Sequence, residues 1–157
     1  DLESTGIQTP IMNLTKILRT IYNIECKFDY DESVIIEDLT LATNLYYIAQ
    51  EAAFNAAKYS HGTIIHITLK KGKNHLILEI KDNGRGLLAE QKKDTEQNSG
   101  MGLKIMKYRT EIIDGTFLIR PNRPSGTIIT VKMPLNKPKG EGRINYGRRN
   151  TNRKQAI

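Results

Sequence analysis

An alternating apolar run ends at Asp82-Asn83-Gly84-Arg85-Gly86, and fourteen residues past Gly86 a helical pattern opens with Gly100-Met101-Gly102-Leu103. Upstream, another helical stretch carries Glu51, Asn55 and Lys58. At 100° per residue these three fall at about 0°, 40° and −20°, one polar stripe beside the apolar one. Asn offers a neutral oxygen to Mg²⁺, which takes oxygen ligands and keeps waters and phosphate oxygens around it. Lys58 supplies a point charge for phosphate, and Glu51 can orient or deprotonate an incoming nucleophile. Asp82, at a strand end, can accept a hydrogen bond from an exocyclic amine. Gly84 and Gly86 permit positive φ and close approach of a flat base to the backbone. Gly100 and Gly102 at a helix start offer free N–H groups to phosphate. Each piece alone is compatible with a solvated helix face, a turn or a hinge. Together, in this order, they describe an adenine pocket, a phosphate cradle and a magnesium site, and ATP is the expected ligand.

These groups need elements to hold them. Ile11, Leu14, Leu18, Ile21 and Tyr22 recur at helical spacing after Pro10, a residue suited to a first helical turn. Glu25–Tyr30 reads as a short strand and 31–38 as a polar connection. From Leu41 to Ser60 the period is helical, with Leu41, Leu45, Ile48, Ala49, Ala52, Ala56 and Tyr59 on one stripe ended by His61-Gly62. Two alternating runs, 63–71 and 75–81, flank a hairpin turn at Gly72-Lys73-Asn74. Residues 82–101 form a long charged loop, of the kind that serves as a functional lid. A helix over 102–114 stops at Gly115, and 116–120 and 127–133 make a last strand pair around 121–126. Sequential hairpins among helices predict an α+β fold, a two-layer sandwich with helices on one face of a mixed, mostly antiparallel sheet. A doubly wound sheet would need a crossover helix between each strand pair. A dinucleotide-binding Gly-x-Gly-x-x-Gly is excluded, because position 105 is Ile and a polar loop precedes the glycines.

The length of 157 residues suits one domain, and 38% hydrophobic with 26% charged residues suits a soluble one. No apolar stretch is long enough for a membrane span, no secretory signal is visible, and the single Cys26 excludes an internal disulfide. A cytoplasmic location is expected. The net charge of +7 resides almost wholly in 137–157, where Lys137, Lys139, Arg143, Arg148, Arg149, Arg153 and Lys154 face Glu141 alone. The expected division is therefore a folded unit over 1–136 and a basic, disordered tail over 137–157. That tail could bind a polyanion by counterion release. Tyr146 is its only aromatic residue and no apolar stripe accompanies its charges, so neither a specific nucleic-acid site nor an amphipathic anchor is expected.

Gln50-Glu51-Ala52-Ala53-Phe54-Asn55-Ala56-Ala57-Lys58-Tyr59-Ser60 resembles the N box of the GHKL ATPase superfamily, Asp82–Gly86 its first glycine box, and Gly100–Leu103 its second. Leu45–Glu51 and Met101–Arg109 resemble, more narrowly, sensor histidine kinases of the nitrate-sensor-like group, and Ser125-Gly126-Thr127 before a strand fits as well. The resemblance covers roughly 11–134 and implies a Bergerat-type ATP-binding sandwich. It implies that Asp82 binds the adenine amine with support from Thr127, that Asn55 coordinates Mg²⁺, and that Lys58 with the Gly100, Met101, Gly102 and Leu103 segment holds phosphates. Tyr59, Gly84 and Gly86 would complete the ATP site, Glu51 would assist the nucleophile, and 87–99 would be the ATP lid.

A histidine kinase phosphorylates a His on a dimerising helical hairpin. The His residues here are His61, His66 and His75, none on an amphipathic helix with an acidic neighbour. The expected reading is the catalytic part of a longer sensor, with the phosphoacceptor-histidine dimerisation domain and a response regulator as partners. Dimerisation, and any membrane attachment, would come from regions outside this sequence. The alternatives are a serine kinase of the anti-sigma-factor type, which shares the ATP fold, a nucleic-acid binder acting through the basic tail, and a degenerate, non-catalytic ATP-binding module.

Overall fold

The computed structural model describes residues 6–86 and 100–135. The expected lid over 87–99 and the basic tail over 137–157 lie outside the described residues. The elements are α1 (Gln8–Tyr22), β1 (Glu25–Tyr30), α2 (Leu39–Tyr59), β2 (Ile64–Lys71), β3 (His75–Asp82), α3 (Met101–Ile112), β4 (Thr116–Pro121) and β5 (Thr127–Pro134). They form one sheet in the order β1-β2-β3-β5-β4, in which only β1 and β2 run parallel. This is the expected α+β sandwich.

Period-2 alternation decides which side chains reach the helices. On β3, Leu76, Leu78, Ile80 and Asp82 are buried while the residues between them are half-exposed. Register aligns this row with its neighbours: Ile80 lies opposite Ile67 on β2 and Ile129 on β5. The other sheet face is solvated and carries charge pairs such as Lys81 with Glu79 at 3.0 Å.

The helices cover the apolar face. On α1, Ile7, just before the helix, and Ile11, Leu14 and Leu18 are buried at the i, i+4, i+7, i+11 spacing. Ile21, expected on this stripe, is 65% exposed; Tyr22 seats the last turn instead, edge-on against Phe54 at 6.0 Å. Asp38 caps α2 by accepting the Leu41 N–H at 3.0 Å. The helix therefore begins two residues earlier than the apolar period, which starts at Leu41. Along α2 the buried side chains shrink, from Leu45 and Ile48 to Ala49, Ala52, Ala53 and Ala56. Tyr59, expected to continue the stripe, is 56% exposed at the rim.

Truncating the cap, Asp38→Ala, should cost about 1 kcal/mol in urea unfolding without changing the fold. Cys26 is fully buried, and burial pushes its thiol up to about 11. Because the folded protein favours the protonated form, stability drawn from it is full below 9.0 and declines as pH rises toward 11. At pH 8, iodoacetamide should leave Cys26 unmodified in the folded chain and alkylate it in urea.

Candidate functional site

Where α2 thins to alanine, a cleft opens between α2 and α3 above the ends of β3 and β5. Ala52, Ala56, Leu103, Met106 and Ile129 make its apolar walls. Asn55, Tyr59, Ser60, Asp82, Gly86 and Thr127 supply the rest of its lining. Polar groups converging between apolar walls suit a small ligand.

Asp82 and Thr127 sit at the floor, 8% and 5% exposed. Both belong to core-facing rows, which is why two polar side chains emerge together beneath the helices. The Asp82 carboxylate accepts the Gly84 N–H at 2.8 Å. Its backbone carbonyl accepts the Asn122 side-chain N–H, also at 2.8 Å. Gly126 has φ +104°, and a Cβ there would lie 1.9 Å from the Asp82 carbonyl oxygen. The turn between β4 and β5 thus locks onto the end of β3. Asn83 fastens the other side, accepting the Thr63 and Ile64 N–H groups at 2.8 and 3.0 Å.

The glycines divide their work differently from the sequence expectation. Gly86 has φ +91°, the left-handed conformation anticipated for it. Gly84 does not; a Cβ there would fall 2.3 Å from both the Cβ and the carbonyl oxygen of Ser60. Its smallness lets the loop pass against the end of α2, where the Arg85 N–H bonds the Ser60 carbonyl at 2.7 Å.

At the mouth, Asn55 donates its side-chain N–H to Glu51 Oε1 at 3.1 Å. Only the amine end of a carboxamide can face a carboxylate, so the Asn55 carbonyl oxygen is the end left for a cation. Gly102 of α3 presses on this pair: a Cβ there would lie 2.4 Å from Glu51 Oε1 and 2.9 Å from Asn55 Nδ2. The N-cap of α3 is Gly100, which has no side chain to cap it, and the first amides of a helix have no intrahelical acceptor. The donor set, a carboxamide oxygen next to a carboxylate and helix amides, fits magnesium and phosphate together. Among the described residues no group of three or more His, Cys, Asp or Glu could hold a metal by itself.

The structure therefore unites Glu51, Asn55, Tyr59, Asp82, Gly86, Gly102, Leu103 and Thr127 around one cleft, with Gly84 behind it. Lys58, Gly100 and Met101 are exposed and do not line it. The Lys58 ammonium rests over the Phe54 ring, 5.5 Å from its centroid. Sequence reasoning missed Ser60 and Asn122, which make their contacts across long stretches of chain. The turn composition of 121–126 was the only available signal for Asn122.

A model of the histidine kinase-, DNA gyrase B- and HSP90-like ATPases matches residues 40–137. The chain belongs to this ATPase family. The oxygen sensor histidine kinase NreB of Staphylococcus carnosus is 30% identical over 134 residues, 85% of this chain and 38% of NreB. The histidine-protein kinase/phosphatase DegS of Bacillus subtilis is 36% identical over 131 residues, 80% of this chain and 34% of DegS. The chain thus spans well under half the length of these curated relatives. The ATP-binding domain of PrrB from Mycobacterium tuberculosis superposes with a TM-score of 0.66 at 18% identity, over 82% of this chain and 93% of that one. Acinetobacter baumannii histidine kinase AdeS gives 0.67 at 20% identity, over 83% and 65%. These last two are likenesses of fold. The family and the relatives make this the ATP-binding catalytic domain of the sensor histidine kinase type, in the narrower group that its motifs resemble.

Two glycines separate folding from binding. Gly126→Ala forces a side chain into a left-handed position against backbone and should lower stability in urea unfolding by about 1–3 kcal/mol. Gly102→Ala meets a movable carboxylate instead. It should leave the melting temperature nearly unchanged while weakening Mg-ATP binding by about tenfold or more, one hydrogen-bond's worth of free energy.

Proposed function

We propose that the cleft binds Mg²⁺-ATP and that the chain transfers the γ-phosphoryl group to a histidine on a dimerisation hairpin, from which a response regulator takes it. One observation carries this reading. A buried carboxylate with a neighbouring threonine lies at the floor of the cleft, and an Asn–Glu pair lies at its mouth against a helix start whose N-cap is a glycine. That is the polarity of ATP, an amine-bearing base at one end and polyanion with metal at the other.

In this mode Asp82 accepts the adenine amine, Thr127 supports it, and the apolar walls bury the base. The Asn55 oxygen holds the metal, which neutralises phosphate charge when bound. The amides from Gly100 to Leu103 meet the phosphates, and Lys58 and Tyr59 act from the rim. Glu51 orients the incoming imidazole and accepts the proton it loses as the N–P bond forms and the bond to ADP breaks. Its hydrogen bond from Asn55 keeps the carboxylate beside the phosphoryl end. None of the three histidines of this chain is on a helix: His61 follows α2, His66 lies on β2 and His75 on β3. The acceptor histidine therefore comes from another segment or protein. No helix of the described residues is long and apolar enough to cross a membrane, and we place the domain on the cytoplasmic side, where ATP is available. Residues 1–136 act as the catalytic unit and the basic tail serves no specific nucleic acid.

Calorimetric titration of Mg-ATP into the full chain tests the pocket. Asp82→Asn should abolish measurable binding with the fold retained, and wild-type affinity in that variant would refute the adenine assignment. Asn55→Asp should alter the magnesium dependence of binding. Glu51→Gln should retain binding yet lose phosphoryl transfer to a supplied hairpin by about 10²-fold or more; full transfer would remove Glu51 from the role of base.

A further inference from the structure

The contact that seats Gly102 on Glu51 has a counterpart farther along the same two helices. Arg109 of α3 donates to the Asn44 side-chain oxygen of α2 at 3.0 Å. Its guanidinium also lies over the Tyr47 ring, 4.5 Å from the centroid. Asn44 is 6% exposed, and its own side-chain N–H is held by the Thr40 carbonyl at 2.9 Å. That second bond fixes the carboxamide so that its oxygen, and not its nitrogen, meets Arg109.

The spacing is what gives this pair a role in the site. Asn44 and Glu51 are seven residues apart on α2, and Gly102 and Arg109 are seven apart on α3. Seven residues are nearly two turns, so each pair shares one helical face about 10 Å apart. The partners run in opposite senses, Glu51 with Gly102 and Asn44 with Arg109, so the helices are antiparallel and both contacts belong to one register. Between them the interface is apolar or small: Ile48, Ala52, Leu103 and Met106. Such surfaces set distance and leave sliding weakly opposed, whereas a cationic N–H donor on a fixed carboxamide oxygen favours one position.

We propose that Arg109 is a positioning residue that sets the α2–α3 register and thereby holds Gly102 on the Glu51–Asn55 pair. It touches neither cleft nor ligand. The inference rests on the proposed binding mode for its effect on ATP, and on geometry alone for its effect on register. Because Asp82 and Thr127 are held by strands and the β4–β5 turn, loss of the latch disturbs the phosphate end and spares the adenine end.

The test compares Arg109→Ala and Arg109→Lys with wild type in the full chain. In the ligand-free protein, NMR should show the Gly102 amide and the Asn55 side-chain amide displaced in Arg109→Ala, with the Asp82 and Thr127 amides unmoved. Mg-ATP affinity should fall by about fivefold or more, the scale of coupling between separated sites, while adenosine affinity stays the same. Arg109→Lys, which keeps the cation over Tyr47 and one donor for Asn44, should recover most of both signals. Unmoved Gly102 and Asn55 resonances in Arg109→Ala would overturn the proposal. So would equal losses for adenosine and Mg-ATP, the signature of general destabilisation. Failure of the ATP pocket itself appears separately, as Mg-ATP binding that survives Asp82→Asn, and leaves the ligand-free resonances to judge the latch.

Discussion

Asp82 stands in the core-facing row of β3, where a carboxylate is costly to bury without hydrogen-bond donors. Three local features make the position tolerable. The chain turns back at once so that the Gly84 amide reaches the carboxylate. Asn122 and Gly126 bring the neighbouring turn against the Asp82 backbone. Finally, α2 carries alanine where it passes overhead, which leaves a cleft in place of a packed core. Larger residues at Ala52 or Ala56 would fill that space and gain apolar burial. The domain forgoes this packing, and in the binding mode proposed here the cleft that remains admits the base.

Much of this could be read from the chain because it depends on local period. Alternation in 75–81 reveals the strand and puts Asp82 at its end, and the structure continues the buried row to Asp82. The 3.6-residue period of 41–60 puts Glu51 and Asn55 on one edge of α2, where the structure finds them 3.1 Å apart. What escaped the sequence depends on register between distant segments. Asn122 reaches Asp82 across 40 residues, and Arg109 reaches Asn44 across 65. Neither residue type stands out in its own neighbourhood. Gly84 is a subtler case: its smallness is legible, but the reason is Ser60, a neighbour known only once α2 and β3 are docked. Lys58 shows the converse, since its helical angle matches the polar stripe although its ammonium rests on Phe54.

The two ends of the cleft are built by different forces. Its floor belongs to a hydrogen-bonded sheet, whose register cannot shift by one residue without turning every core side chain to solvent. Its mouth belongs to two helices in side-chain contact, where the opposition to small displacements is far weaker. A ligand that spans both, in the binding mode proposed here, meets a rigid seat for the base and an adjustable one for the phosphates. Specificity for the base can then be fixed by the fold, while the disposition of the reacting group stays open to control. The lone glycine where α3 meets Glu51 fits that division: it brings the helix amides and the carboxylate to the same place, and it does so through a contact that helix position alone decides.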